Sequence, residues 1–516
     1  MKEKVNLKGL FAALLSFVLV ATEGVFLYFI WKITGSATLF KLAASCIVLV
    51  VVTILLLLLP WKSWKGKTFA FVLRLIAVIL AFLLLISSFW GIFAVTKLQS
   101  TVEAITTTTT VSSQVGVYVL ADDPAQTIED AKDYLFGITP SYDAKNTNKT
   151  LDEMAAVFMA APATQEYDTV ISMITGLYMG DVRAMVLNTA YVTLLEGVED
   201  FGDFASRTRL LKEYTIVTEV EPTEPEATGH QDPANPTRPD DPVLPTTEAA
   251  DPLYQPFAIY LSGSDTRTST LAPARSDVNI IAIVNPGTKQ ILLINTPRDY
   301  FIPTAASEIG SCDKLAHCGV WGIECSMNTL SNYYGIPLKY YAQINFTGFE
   351  TLIDSIGGVT IYSEEGDGVH LEPGANYMDG PTALNFARDR YSYADGDNAR
   401  GRHQMQVITA VVDKLTSGSL ITNYSQIMDS LQGMFVTSVP NETISAYIKM
   451  QLADMAHWDV YSFPVTGYGG YDQPYSMGGL FAWVMYPYED SVAHAVDLMN
   501  RMLRGDKLTA AEIPMP

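Results

Sequence analysis

The stretch ALNFARDRYSYADGDNARGRHQMQ, residues 383–406, holds Arg388, Arg390, Arg400, Arg402 and His403 in a chain of 516 residues whose formal net charge is −22. Arginine presents a planar fork of donors that matches carboxylate and phosphate oxygens. Its crowding inside an acidic protein therefore predicts a local anion site. Three shorter patches share the composition: GSDTRT with Asp265 and Arg267, ARSDVN with Arg275 and Asp277, and TPRDY with Arg298 and Asp299. Each flanks an apolar run, and strand ends are where α/β sheets place their sites. One such patch alone reads as a solvated loop; four that combine carboxylate with arginine point to a common site. Arg388 and Arg390 are two apart, so they diverge on a helix and share a face only where the chain extends. That predicts a helix ending near Arg388. Arg400 and Gln404 are four apart and share a helical face, and Asp397 is placed to cap that helix. Arginines from an extended segment and from a helix can converge on a compact multivalent anion. Two aspartates could hold a divalent metal against it, because Mg²⁺ prefers oxygen ligands and phosphate. A pyrophosphate fits this description.

The elements that must carry these residues begin near Gln255. PFAIYLSG reads as a buried strand, and DVNIIAIVNPGTKQILLINTP as two strands joined by a Pro-Gly turn, an antiparallel hairpin. ECSMNTLSNYYG is a helix stopped by Gly335. Then come a strand (LKYYAQINF), a helix (TGFETLIDSIGG), a strand (GVTIYSE) and helices at about 380–389 and 400–416. WDVYSFPV is a further strand and EDSVAHAVDLMNRMLRG a terminal helix. Strands alternating with helices around one hairpin predict a mixed β-sheet with helices on both faces over residues 255–510. Upstream, residues 113–220 read as a small α/β domain. There VGVYVLADDPAQTIEDAKDYLFGI gives strand, turn and amphipathic helix, DVRAMVLNTAYVTLLEGV repeats that order, and YTIVTEV closes as a strand. No cluster of His, Cys or paired carboxylates marks chemistry there. Residues 221–254 are dominated by proline and acid and read as a disordered linker.

Residues 1–98 are strongly apolar, with runs at about Leu10 to Trp31, Leu39 to Pro60 and Phe69 to Val95. Each is long enough to cross a hydrocarbon core of about 30 Å, which predicts three transmembrane helices in a lipid bilayer. The first run is too long for a signal peptide. Lys2, Lys4 and Lys8 precede the first span, and Lys62, Lys65 and Lys67 separate the second from the third; both sets should face the cytoplasm, leaving everything after Thr96 outside. Glu23 falls within the first span, where a charge is costly; Arg74 differs in depth by about 10 Å, too far for a direct pair. The acidic balance argues against a nucleic-acid partner. Cys312, Cys318 and Cys325 fall close together outside, where disulfides are permitted. Three cysteines leave one over, and the expected bridge is Cys312 with Cys325. A zinc site of Cys312, His317, Cys318 and Cys325 fits no common ligand spacing.

The region after Pro256 resembles the LytR–CpsA–Psr family of cell-wall phosphotransferases. SGSDTR, ARSDVNIIAIVNPGTKQILLINTPRD, DKLAHCG, YYAQINFTGFETLIDSIGGV and YMDGPTALNFARDRYSYADGDNARGRHQ match in order. The membrane spans and outward orientation fit too, although many relatives carry one span. The resemblance implies a Gram-positive source and an enzyme that takes an anionic glycopolymer, such as teichoic acid or capsule, from a polyprenyl-pyrophosphate carrier to a peptidoglycan hydroxyl through a phosphodiester bond. It implies that Asp265 and Asp277 bind Mg²⁺ or Mn²⁺, and that Arg275, Arg298, Arg388, Arg390, Arg400 and Gln404 hold the pyrophosphate oxygens. Asp277, Arg298, Arg388 and Arg390 are the expected catalytic set. The lipid tail would lie in an apolar tunnel with FETLIDSIG and AYIKMQLADMA as candidate walls. Asp299 is a candidate base by adjacency only. Many relatives carry arginine where this chain has His403, which is left outside the core set with Arg402. Two other functions stay open: a hydrolase using water as acceptor, and a non-catalytic surface protein that binds lipid or senses a ligand.

Overall fold

The computed structural model describes residues 7–32, parts of 45–55 and 72–93, 109–195, 201–220, 254–265, 271–415 except 272 and 395, 434–440, parts of 443–451, and 456–513. The chain divides into two compact units, Met1–Ala104 with Pro440–Asp454, and Ile105–Val439 with Met455–Pro516.

In the first unit, helix α1 spans Leu7–Lys32. Leu15, Leu19, Val52, Leu55, Ala77 and Ala81 form its small core, while Phe17, Leu83, Ile86, Phe89 and Trp90 stay exposed. Glu23 is buried and accepts a hydrogen bond from the Ser88 hydroxyl at 2.7 Å; Arg74 lies outside the described residues. Among the described residues no helix is long and apolar enough to cross a membrane, and much of the second and third predicted spans lies outside them.

Among the described residues the second unit holds a five-stranded sheet, a six-stranded sheet and three two-stranded ribbons, one of them β12 (Val359–Ser363) with β13 (Gly374–Met378), preceded by helix α6 (Phe346–Ser355). The first has the order β3-β2-β4-β1-β5, built from β1 (Thr109–Leu120), β2 (Leu135–Ile138), β3 (Ala163–Glu166), β4 (Ala184–Asn188) and β5 (Thr208–Val220). Its elements differ in two places from those expected from the sequence, the first being that the helix expected after β4 is the 3-10 segment Thr189–Leu195. The helix expected after β1 is a single 3-10 turn, Glu129–Ala131, followed by strand β2. Asp130 accepts from the Gln126 and Thr127 amides at 3.0 and 2.9 Å; this local side-chain bonding competes with a helix. Helix α2 (Pro140–Phe158) follows, with proline at its start, where the missing N–H costs nothing. Helix α3 (Val170–Met179) opens with a Thr169–Ser172 capping box and stops at Gly180.

The second sheet has six strands in the order β14-β11-β6-β7-β8-β15: β6 Phe257–Ser264, β7 Ser276–Asn285, β8 Gln290–Asn295, β11 Tyr340–Asn345, β14 Phe435–Thr437 and β15 Asp459–Pro464. β6, β7 and β8 pair antiparallel, while β11 runs parallel to β6 and β15 parallel to β8. The mixed sheet expected from the sequence is thus present. Its β7–β8 turn is held by Asn285, whose side-chain oxygen accepts from the Gly287 and Thr288 amides. On one face, Tyr260, Ile281, Ile283, Leu292 and Ile294 pack against Met327, Leu330 and Tyr334 and against Leu498, Met499 and Met502. These come from α5 (Ile323–Tyr334) and α9 (Glu489–Leu503), which begin and end as expected. On the other face, Ile280, Ala282 and Leu293 pack on Met405 and Ile408 of α8 (Asp397–Lys414). Burying both faces explains why β7 and β8 read as nearly continuous apolar runs.

Between β8 and α5 the chain forms a small ribbon, β9 (Phe301–Pro303) with β10 (Cys312–Lys314), and a short helix α4 (Leu315–Cys318). A 3-10 turn at Gly319–Trp321 then carries Val320 and Trp321 into the core of the small α/β domain. There Trp321 lies 6.1 Å from the Tyr142 ring, 6.0 Å from Tyr191 and 6.2 Å from Tyr475. The expected Cys312–Cys325 bridge is not formed: Cys312, Cys318 and Cys325 are free thiols. The turn at 319–322 folds α5 back beside α4, so the side chain next to Cys325 is Cys318, while Cys312 is held on the β9–β10 ribbon opposite Pro303.

Candidate functional site

The site residues gather at the ends of β6, β7 and β8 and at the start of α8. A register shift opposes Ser264 to Ser276 and Gly263 to Val278, so Asp277 is the extra residue of a bulge. Bulges re-aim side chains, and here the carboxylate accepts from Arg298 Nη1 at 2.6 Å. The polar layer beneath is closed: the Tyr260 hydroxyl meets Ser276 Oγ at 2.9 Å and Asn279 Oδ1 at 2.7 Å, and Ser262 Oγ lies 2.7 Å from Ser276 Oγ. That network fixes the start of β7. Asp265, just past β6, pairs with Arg275 Nη2 at 3.4 Å.

Asp299 is the most buried carboxylate of the group. Lys314 Nζ lies 3.0 Å from its Oδ1 and Arg298 Nε 3.6 Å from its Oδ2. Burial alone would raise its pKa; the charges of Lys314 and Arg298, the Lys314 hydrogen bond and the charge of Arg400 outweigh burial and hold it below the ordinary carboxylate range. Asp299 is therefore an ionised strut between cations and a weak proton acceptor.

Arg400 reaches this cluster because α8 comes unusually close to the sheet. A Cβ on Gly401 would collide with the Asn295 side chain at the end of β8. Arg400 and Gln404, one turn apart, are both buried. The helix starts at Asp397 itself after Gly396, with no side-chain cap. Asp397 is thus the first helical residue and not the cap expected from the sequence, because Gly396, at φ 52°, makes the turn that starts the helix.

The preceding segment behaves as its spacing predicts. Helix α7 (Gly380–Arg388) ends at Arg388, and Asp389 is extended. Asp389 pins the turn: its Oδ1 accepts from the Tyr391 and Ser392 amides and its Oδ2 lies 2.8 Å from His370 Nε2. Arg390 donates to the Tyr391 hydroxyl at 2.5 Å. The phenol is held below its ordinary pKa by that bond and charge, and further by Arg298 and Arg400. Arg388 is turned elsewhere, its guanidinium 4.3 Å over the Phe346 ring.

The structure thus pairs Asp277 with Arg298 at the strand ends, with the Asp265–Arg275 pair on β6 and β7 and with Arg400 and Gln404 on the helix turn laid against the end of β8, while Arg390 meets Tyr391. Arg267 lies outside the described residues. His403 stacks on Phe386 at 4.1 Å and meets Tyr393 at 4.7 Å; burial depresses its pKa. Lys314 and Tyr391 were missed from the sequence. Lys314 lies in DKLAHCG, but only the β9–β10 ribbon brings it to Asp299. No group of three or more His, Cys, Asp or Glu side chains placed for a metal ion occurs among the described residues; the zinc alternative also fails on His317, whose Nδ1 lies 2.8 Å from both Asp313 and Ser476.

A helix-flanked mixed sheet with arginine–carboxylate pairs at its strand ends describes the class of domain. The LytR_cpsA_psr family model matches residues 226–478, and the C-terminal half of the chain is a LytR–CpsA–Psr family domain. The Enterococcus faecalis polyisoprenyl-teichoic acid–peptidoglycan teichoic acid transferase TagU is 32% identical over 190 residues, 36% of this chain and 62% of that protein. The protein of the same name from Halalkalibacterium halodurans is 33% identical over 181 residues, 34% of this chain and 59% of that one. The matched region therefore spans less than two thirds of either relative. A crystal structure of B. subtilis TagT is 22% identical, with 51% of this chain and 96% of that chain covered and a TM-score of 0.39.

Proposed function

We propose that this protein transfers an anionic glycopolymer from a polyprenyl-pyrophosphate carrier to a peptidoglycan hydroxyl. The observation that carries the reading is the cluster at the ends of β6, β7 and β8, where Arg298 pairs with Asp277 at 2.6 Å and with Asp299 at 3.6 Å, Arg275 pairs with Asp265 at 3.4 Å, and the close approach of Gly401 to Asn295 lays the turn that carries Arg400 against the end of β8. Guanidinium groups gathered at one set of strand ends suit the oxygens of a bound pyrophosphate. The transferase names of the TagU relatives support the same chemistry.

In this reading Arg298, Arg390 and Arg400 bind and orient the pyrophosphate, with Arg275 and Gln404 at its edge. Arg388 would swing from Phe346 to join them. The acceptor hydroxyl oxygen attacks the phosphorus attached to the glycopolymer. The bond from that phosphorus to the bridging oxygen breaks, and polyprenyl phosphate leaves. Such transfers need positioning and charge stabilisation more than covalent help. Asp265 and Asp277 suit Mg²⁺ or Mn²⁺, since Mg²⁺ is commonly held by one or two carboxylates plus substrate phosphate and water. The ion would add positive charge beside the leaving phosphate. Asp299 does not serve as the base; it holds Arg298 and Lys314 in place. The apolar N-terminal runs would anchor the chain in the membrane with residues after 96 outside, and the lipid tail would run between sheet and helices.

The test incubates the full chain in detergent with a polyprenyl-pyrophosphate glycan, Mg²⁺ and peptidoglycan fragments, beside Asp277→Ala and Arg390→Ala. Ligated product that falls at least 100-fold in both variants supports the transferase. Free phosphorylated glycan in its place identifies a hydrolase, and lipid binding without turnover in all three proteins overturns catalysis.

A further inference from the structure

We infer that Cys318 and Cys325 form a reversible disulfide that closes the loop on which the small α/β domain is docked. Cys318 lies against the face of α5 that carries Cys325: Thr329, one turn on from Cys325, has its Oγ1 3.6 Å from Cys318 Sγ, and both cysteines belong to one packed cluster. Thr304 Oγ1 lies 3.3 Å from the same sulfur. One thiol is at the end of α4 and the other in the first turn of α5. Cys318 is wholly buried, whereas Cys325 is partly exposed.

The tight reversal that joins them is built into the backbone. Gly319 packs so closely on Ala274 and Ser276 that a Cβ would collide with the Ala274 carbonyl, and Gly322 sits at φ 100°. Between the cysteines lie Val320 and Trp321, the residues inserted into the core of the small domain. The same loop leads back through Asp313 and Lys314 to Asp299. Asp313 accepts from the Ser476 amide at 2.8 Å, and Ser476 neighbours Tyr475, which stacks on both Tyr142 and Trp321. A covalent bridge here would therefore fix the docking loop and the base of the Lys314–Asp299 pair together.

The chemistry balances against an external disulfide. The more exposed Cys325, as thiolate, attacks one sulfur of that disulfide and releases one thiolate. Cys318 then loses its proton and attacks the Cys325 sulfur of the mixed disulfide, releasing the second thiol. The protein pair gives up two electrons and two protons, and the external disulfide is reduced to two thiols. The neighbouring Cys318 thiol holds the Cys325 thiol below its ordinary pKa, which suits it to the attacking role. An outward-facing domain would meet such oxidants.

The full chain in detergent, purified from an oxidising secretory host, is compared with the same protein reduced and then reoxidised with glutathione disulfide. Remaining thiols are alkylated, and the digested protein is mapped by mass spectrometry without reductant. The expected product is a Cys318–Cys325 cross-linked peptide with Cys312 recovered alkylated. Oxidation should raise the Tm of wild type by about 3–6 °C. Cys312→Ala should keep that rise and Cys325→Ala should lose it. Alkylation of both Cys318 and Cys325 in both preparations overturns the inference, as does a cross-link that contains Cys312. If Cys325→Ala fails to fold, the peptide map of wild type and Cys312→Ala still decides.

Discussion

Asp299 is nearly inaccessible, yet it touches Lys314 and Arg298 and feels Arg400. Replacing it with asparagine removes the carboxylate that pairs with Lys314 and leaves Arg298 with Asp277, which costs about 3 kcal/mol. Asp299→Asn should lower the urea midpoint at pH 7 accordingly. The sign of the pH effect follows from the depressed pKa. The folded form holds its proton less tightly than the unfolded chain, whose value is about 3.9. The stabilisation is therefore present in full above that value and is lost as pH falls through the lower folded value. Wild type should lose stability below about pH 4 more steeply than Asp299→Asn, and equal slopes would remove Asp299 from the account. At Tyr391 the expectation is a split. Arg390→Ala should weaken binding of a polyprenyl pyrophosphate by about tenfold, the loss of one charge-assisted contact. Tyr391→Phe should bind no worse than wild type, because it removes an oxygen that occupies Arg390. Titration calorimetry reads both, and a tenfold loss in Tyr391→Phe would mean that the hydroxyl is a ligand contact.

At the level of elements, α8 is where sequence and tertiary structure meet most closely. Gly401 allows the helix to approach Asn295, so Gly401→Ala should push the first turn away from the sheet and carry Arg400 and Gln404 with it. Overpacking of this kind costs about 1–3 kcal/mol. Transfer activity should fall more than stability does, and Gly401→Ala with Asn295→Ala should recover part of both. Recovery of stability without activity would separate packing from the site. The core strands were legible because both faces of β7 and β8 are buried and the apolar runs are continuous. The end of α7 at Arg388 was legible because only an extended exit puts Arg388 and Arg390 on one side. The short turn at 129–131 was not, since Asp130 satisfies backbone amides that a helix would have used. The place of Lys314 was not legible either, because nothing local to DKLAHCG says that a two-stranded ribbon will lay it against Asp299. Nor does spacing foretell that Arg388 covers Phe346.

In the second unit aromatic packing joins the five-stranded and the six-stranded sheet regions. Trp321 enters a core made by Tyr142, Val170, Ile174, Leu177 and Tyr191 of the small domain. Trp321→Ala removes the largest side chain the sheet domain contributes to this core, at a cost of about 3 kcal/mol. The loss falls on the contact between the domains and spares the six-stranded sheet, whose own core does not include Trp321. Calorimetry of wild type should then show the two sheets of this unit melting together. In Trp321→Ala the small domain should melt first, as a separate transition at lower temperature. If docking also steadies the loop that carries Lys314, the variant should lose transfer activity in proportion to the undocked fraction, and cooling should restore it. A single transition lowered as a whole would show instead that the two sheets depend on each other through contacts beyond Trp321.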